Sequence, residues 1–162
     1  MARVGAVVEA HPQPPGKIDH LGADGYVLLG DYVSDCPDPH ETLELLRQMS
    51  QRKPCHMVYG NREQYLFDHE ANPDGDGWCV SSQTGSLLYT YRHLTAGDFR
   101  MLHEMPRKAR IEIPGCAPIL ACHGAPDSIN QLVYPGTRDA DKLLKNLQEA
   151  VLLVGHCHIQ YR

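Results

Sequence analysis

The chain has 162 residues, of which 42% are hydrophobic and 22% charged, as in an ordinary globular domain. Its formal net charge is −5 and it has no run of Lys or Arg, which argues against a nucleic-acid partner. No apolar stretch approaches the ~20 residues of a membrane span, and no signal-peptide pattern begins the sequence. We therefore expect a single domain over residues 1–162 in a cytoplasmic protein with no membrane partner. The composition leaves the oligomeric state open.

Six cysteines are spread along the chain without a C-x-x-C pair, which argues against a zinc ribbon and against a thioredoxin-like motif. Because no secretion signal accompanies them, we interpret them as reduced thiols. Ten histidines are more informative. Four of them follow apolar runs in the spacing of metal ligands: His11, His123, His156 and His158. We interpret the other six as surface or capping residues.

Apolar runs alternate with helical patterns along the chain, which predicts an α/β architecture. The predicted strands are Val4–Val8, Tyr26–Leu29, His56–Tyr59, the two halves of a hairpin within Arg110–Cys122, and Val151–Val154. The predicted helices are one opened by a capping box of Asp38 and Glu41, then Asn61–Glu70, one capped by Thr95 with Asp98, and Asp139–Ala150. The alternation around Tyr89 and Tyr91 indicates a strand or core residues.

A polar residue stands at or beside a glycine just after four of these strands. The four residues are Asp31, Asn61, His123 and His156. In α/β sheets, ligands bind beyond the carboxyl ends of the strands, so we expect these side chains to share one crevice. Carboxylate, amide and imidazole donors suit zinc, iron and manganese, and the lack of paired cysteines argues against a thiolate site. The pattern predicts a metal centre.

Taken in order, the motifs are Gly30-Asp31, Gly60-Asn61-Arg62-Glu63, His123-Gly124 and Gly155-His156-x-His158. Over nearly the whole chain they resemble the calcineurin-like metallophosphoesterase family, whose pattern is D-x-H, G-D, G-N-H-[ED], a lone H and G-H-x-H. The resemblance implies a metallo-dependent phosphatase-like β-sandwich flanked by helices. It also implies two divalent metal ions (manganese, iron or zinc) that activate water for hydrolysis of a phosphate-ester substrate.

The resemblance further implies a role for each site residue. Asp31 would bridge the two metals, while Asn61, His123 and His156 would complete the second metal site. Glu9, His11 and His158 would then bind the first metal. Asn61, Arg62 and His123 would be the catalytic residues, with Arg62 also contacting the substrate.

The chain departs from the family pattern in four places. Glu9 replaces the Asp of D-x-H, and the proline-rich stretch 12–22 replaces a full helix. Arg62 replaces a His that commonly protonates the leaving group; Arg is always charged and would instead clamp a phosphate oxygen, or pair with Asp31, Asp35 or Glu63. The sequence also stops soon after G-H-x-H, so we expect a second sheet that is incomplete at the C-terminus.

These departures support a second hypothesis, a degenerate family member that binds one metal and phosphate without turnover. Loop residues that would select the leaving group have no recognisable pattern. Phosphoproteins, dinucleotide polyphosphates, cyclic nucleotides and phospholipids therefore all stay open as substrates.

Overall fold

The computed structural model of the protein describes residues 4–7, 22–75 and 77–161. The strands in this part of the chain are β1 (Val4–Val7), β2 (Gly25–Leu28), β3 (Cys55–Met57), β4 (Lys108–Ile111), β5 (Ile119–Cys122) and β6 (Val151–Val154). The helices are α1 (Pro39–Arg52), α2 (Asn61–Ala71), α3 (Gly85–His93), α4 (Ala96–Glu104) and α5 (Arg138–Asn146). None of these helices is long and apolar enough to cross a bilayer.

The strands form two three-stranded sheets. The first has the order β1-β2-β3 with all strands parallel. The second has the order β4-β5-β6, in which β4 runs antiparallel to β5 and β6 runs parallel to it. One hydrophobic cluster joins the two sheets, and its buried members are Val27, Leu29, Val58, Ile111 and Ala121. The predicted β-sandwich is therefore confirmed.

Helices cover the outer side of the first sheet. Successive residues of a strand point to opposite faces, so Val27 faces the second sheet while Leu28 faces the helices. Leu28 belongs to the largest core cluster, to which α1 contributes Leu43 and α4 contributes Leu102, both fully buried. A third cluster packs α5 through Ala140. The flanking helices that the sequence predicts are thus present.

Two local predictions were wrong and one was right in part. Tyr89 and Tyr91 lie in α3 and not in a strand, because the helical spacing buries Leu87, Leu88 and Thr90 on one face. Tyr91 nevertheless packs against the main core cluster, as the other interpretation expected. Asp38 makes no side-chain cap; its backbone carbonyl instead accepts a hydrogen bond from the Thr42 hydroxyl at 2.9 Å. The last helix ends at Asn146, four residues before the predicted Ala150.

Two side-chain interpretations have different outcomes. All six cysteines have free thiols, as expected. His69, however, is buried, with its ring stacked 4.2 Å from that of Trp78. The interpretation of His69 as a surface residue was therefore wrong.

Candidate metal centre

The loop after β2 turns sharply before it presents Asp31. Gly30 has a φ of 92° and Asp31 a φ of 59°, so two successive residues lie in the left-handed region. A side chain at Gly30 would overlap the backbone nitrogen of Gly60, which explains the glycine. Asp31 has no such freedom, and a non-glycine residue in this region is held there by its surroundings.

The loop after β3 lies directly against this turn. The Arg62 backbone N–H donates a hydrogen bond of 3.0 Å to Asp31 Oδ1, which fixes one side of that carboxylate. Asn61 is the first residue of α2, so its side chain starts from the end of the first sheet. The two loops therefore place Asp31 and Asn61 side by side.

His123 joins the second sheet to the first at the same edge. It follows β5, is 3% exposed, and its Nδ1 lies 2.6 Å from the carbonyl oxygen of Leu29. A ring N–H that donates to a backbone carbonyl is typical of metal-binding histidines, because it leaves the other ring nitrogen free as a donor atom. The Gly155 N–H donates to the His123 carbonyl at 2.8 Å, which brings His156 to the same place.

Three side chains converge on His123 Nε2. It lies 2.9 Å from Asn61 Oδ1, 3.0 Å from His156 Nδ1 and 3.3 Å from Asp31 Oδ2. One donor atom each from Asp31, His123 and His156 falls within 4.8 Å of the others. Donors at ~2.1 Å from a tetrahedral ion are about 3.4 Å apart, so these separations fit a bound cation.

The pKa values of these groups reflect how closely they are packed. Burial raises the pKa of Asp31, but the hydrogen bond and charge of His123 and the Arg62 N–H outweigh it, so the net pKa is lowered. Burial lowers the pKa of His123, yet the Asp31 carboxylate raises it above its ordinary value. Burial and the charge of His123 both lower the pKa of His156. In the absence of an ion, the negative charge of Asp31 thus favours a proton on His123.

Positive φ values at non-glycine residues recur in the two loops that carry Asp31 and His156. Among the described residues, the non-glycine residues with positive φ are Asp31, Asp35, His156 and His158, at 59°, 59°, 54° and 56°. Three of the four are predicted ligands. Such strain persists only where the surroundings enforce it, and it is typical of functional sites.

Two further predicted site residues, Arg62 and His158, contribute no atom to this group of donors. Arg62 points to the rim, where its Nε donates to Ser34 Oγ at 2.7 Å and its Nη2 to Asp35 Oδ2 at 3.0 Å. Its charged partner is therefore Asp35 and neither Asp31 nor Glu63. His158 is exposed and stands outside the group of three donor atoms. Glu9 and His11 lie outside the described residues.

Glu63 is a site residue to which the sequence analysis gave no role of its own. It is fully buried, and its carboxylate accepts hydrogen bonds from the backbone N–H groups of Asp31, Tyr32 and Gly60 at 2.7, 2.7 and 2.8 Å. Burial and the Asp31 charge raise its pKa, while the three N–H groups oppose that rise. Glu63 is the third residue of α2, and a Glu at that position is a signal of a capped helix start. This signal could have identified Glu63 from the sequence.

Solved structures with a similar fold support the architecture. A hypothetical protein of Pyrococcus horikoshii OT3 aligns with 94% of this chain and 68% of its own, with a TM-score of 0.76 and 18% identity. A metallophosphoesterase of Sphaerobacter thermophilus aligns with 98% of this chain and 62% of its own, with a TM-score of 0.73 and 22% identity. The chain therefore spans about two thirds of each structure. Identities this low establish the fold alone.

Two sequence comparisons have different outcomes. The comparison with curated proteins gives no match. The model of the calcineurin-like phosphoesterase family matches residues 3–162, which is nearly the entire chain. The match includes each of the motifs whose side chains meet at His123. The chain belongs to the calcineurin-like phosphoesterase family.

Proposed function

We propose that the protein hydrolyses phosphate esters at a dinuclear metal centre. The observation that carries the proposal is the convergence of Asp31, His123 and His156, with donor atoms within 4.8 Å of one another, beside the Asn61 amide oxygen. This set offers one carboxylate, two imidazoles and an amide. These ligands suit manganese, iron or zinc, and their spacing fits the bond lengths of such ions.

The ligand residues would divide between two ions. Asp31, whose Oδ2 faces His123 and whose Oδ1 accepts from the Arg62 N–H, would contribute to both sites. Asn61, His123 and His156 would complete the second site. Glu9, His11 and His158 would form the first. Divalent ions, when bound, would supply Lewis acidity and lower the pKa of a bound water.

Arg62 would hold the substrate at the rim. Its Nε and Nη2 are engaged by Ser34, Asp35 and Ser86, and within the described part of the chain Nη1 has no hydrogen-bond partner. The side chain is 22% exposed, and Nη1 would donate to a phosphoryl oxygen. A guanidinium keeps its proton at any accessible pH, so Arg62 would orient and neutralise charge without protonating the leaving group.

The test measures phosphate-ester hydrolysis by the protein after EDTA has removed its metal ions and Mn²⁺ has been added back. p-Nitrophenyl phosphate and bis(p-nitrophenyl) phosphate separate monoesterase from diesterase activity. Asp31→Asn and His123→Ala should lower turnover by more than the ~10–100-fold that loss of an outer-shell partner costs. His56→Ala, at an exposed position of β3, is the control and should keep native turnover. Near-native turnover by His123→Ala would refute the proposal.

A second candidate function is metal-dependent phosphate binding without turnover. Two observations favour it: Arg62 cannot act as a general acid, and the described residues assemble donors around a single point. Metal analysis of the reloaded chain separates the candidates. Two ions per chain together with turnover support the hydrolase. One ion per chain, binding of inorganic phosphate and no turnover support the second candidate.

A further inference from the structure

Glu63 receives three backbone N–H groups from two different loops. Its Oε1 accepts from Tyr32 at 2.7 Å, and its Oε2 accepts from Asp31 at 2.7 Å and Gly60 at 2.8 Å. The side chain is 0% exposed. Hydrogen bonds from N–H groups to a carboxylate are short and strong, so this buried group holds the two loops together.

The turn at Gly30 and Asp31 is built like an anion-binding site. The backbone N–H groups of two successive residues, Asp31 and Tyr32, point to the same side of this turn and form a concave nest. In many proteins such a nest binds a phosphate. Here the Glu63 carboxylate fills it from inside the protein.

The position of Glu63 along the chain couples this nest to the second loop. Glu63 lies on α2, two residues after Asn61, and it also accepts from the N–H of Gly60, which precedes the helix. One carboxylate therefore fixes the strained backbone of Asp31 and the start of the helix that carries Asn61. The relative placement of two predicted ligands depends on this group.

We propose that Glu63 is a positioning residue that sets the separation of Asp31 and Asn61 and thereby the metal affinity of the centre. The proposal rests on the proposed function, because it takes Asp31 and Asn61 as ligands. Glu63 itself donates no atom to the metal, since both its oxygens are committed to backbone N–H groups.

Glu63→Gln is the informative variant. Glutamine has a single acceptor oxygen, and its NH₂ group must face either the Tyr32 N–H or the N–H groups of Asp31 and Gly60. Either choice places the NH₂ group against a backbone N–H group inside the protein, where neither donor has an acceptor. Glu63→Asp keeps the charge but shortens the reach by one methylene, so it should contact only one loop. Both variants should release the Asp31 backbone.

Tyr32→Phe is the matched control. The Tyr32 hydroxyl lies 2.9 Å from the Leu28 carbonyl and 2.7 Å from the Val58 carbonyl, so it connects the ends of the same two strands. Removing the hydroxyl lowers stability at this edge of the sheet. It leaves intact the hydrogen bond that the Tyr32 backbone N–H donates to Glu63.

The experiment combines Mn²⁺ titration calorimetry with hydrogen exchange of single amides. Native chain should bind Mn²⁺ and protect the amides of Asp31, Tyr32 and Gly60. Glu63→Gln and Glu63→Asp should bind Mn²⁺ ~10–100-fold more weakly, as expected for loss of an outer-shell partner. In these variants protection should fall at the same amides, whereas Tyr32→Phe should keep native affinity at a lower melting temperature.

Three outcomes would overturn the proposal. Native affinity in Glu63→Gln, with a loss of stability like that of Tyr32→Phe, would reduce Glu63 to a structural residue. Rapid exchange of the three amides in the native chain would mean that their hydrogen bonds to the Glu63 carboxylate do not form. If the amides are protected but the native chain binds no Mn²⁺, the proposed function fails and the role of Glu63 in metal affinity fails with it.

Discussion

At the scale of single residues, Gly60 shows how little room the candidate metal centre leaves. A Cβ at Gly60 would overlap the Asp31 carboxylate and lie 2.6 Å from the Asp31 backbone nitrogen. Gly60→Ala should therefore displace Asp31 and weaken Mn²⁺ binding in a calorimetric titration. Gly85→Ala is its control, because a Cβ there meets nothing within 4 Å at the start of α3.

Gly85→Ala should keep native affinity and gain stability, by about 0.5–1 kcal/mol, since alanine is the better helix former. Equal Mn²⁺ affinity in Gly60→Ala and the native chain would show that the Asp31 loop is not confined by Gly60.

Glu9 allows a prediction that depends on the sequence alone. If it replaces the family's Asp as a ligand of the first metal, its longer side chain should hold that ion weakly. Glu9→Asp should then raise activity at limiting metal concentration and leave it unchanged at saturation. The measurement is turnover against Mn²⁺ concentration for both chains. Coincident curves would remove the support for placing Glu9 and His11 opposite the family's D-x-H.

The residues of the site differ in how well the sequence could predict them. The sequence selected Asp31, Asn61, His123 and His156 because each follows a strand beside a glycine, a pattern that places side chains at the sheet edge. It could not orient Arg62, since its guanidinium partners are distant in sequence: Ser34 lies in the loop after β2 and Ser86 in the first turn of α3. Whether these four residues bind metal stays a prediction.

At the scale of secondary-structure elements, Asp98 connects α1 to α4. Its side chain is 0% exposed and accepts from Arg47 Nη2 at 2.8 Å, from Thr95 Oγ1 at 2.7 Å and from the Thr95 N–H at 2.8 Å. These bonds outweigh the effect of burial and hold the pKa of Asp98 well below its ordinary value. The predicted cap of Thr95 and Asp98 is thus confirmed, and the structure adds an ion pair between the helices.

Asp98→Asn should destabilise the fold by about 3 kcal/mol, because it leaves Arg47 without its buried partner and disrupts the cap. The measurement is urea unfolding. A depressed carboxyl pKa stabilises the fold above the unfolded value of about 4 and loses that effect as the pH falls below it. The difference between native and Asp98→Asn should therefore shrink in acid. A loss under about 0.5 kcal/mol at neutral pH would contradict this role.

His40 gives the opposite pH dependence at the same place. Its Nδ1 lies 2.8 Å from Asp98 Oδ2, and that carboxylate raises the pKa of His40. A raised histidine pKa adds stability below the unfolded value of about 6.5, and the effect is lost as the pH rises through the folded pKa. His40→Gln keeps a neutral donor, so its melting temperature should fall below that of the native chain at acid pH only. An equal difference at pH values of about 5.5 and 8.5 would contradict the charge effect.

The elements themselves were largely predictable where local signals agreed. Val151–Val154 matches the predicted strand, and the Thr95 cap marks the start of α4. The pattern around Tyr89 was ambiguous because tertiary packing, and not strand alternation, determines which residues of α3 are buried. α5 ends early because Leu147 is extended, and the Ala150 N–H donates instead to the Pro118 carbonyl at 3.1 Å, a distant contact that has no local signal.

At the scale of the whole molecule, the two sheets meet at the candidate metal centre. Asp31 and Asn61 come from the first sheet, and His123 and His156 come from the second. The contact between His123 and the Leu29 carbonyl ties the two sheets together at this edge. A metal bound here would cross-link both halves of the sandwich, so the site depends on the complete fold and not on any single motif.

The most direct test is anomalous diffraction from a crystal of the native chain soaked in Mn²⁺. We predict an anomalous peak about 2.0–2.2 Å from His123 Nε2 and from a carboxylate oxygen of Asp31, with His156 and Asn61 completing the shell. A second peak beside His158 would identify the dinuclear centre. A crystal that shows no peak within reach of His123 Nε2, or a peak only elsewhere on the molecule, would contradict the assignment of these residues as a metal site.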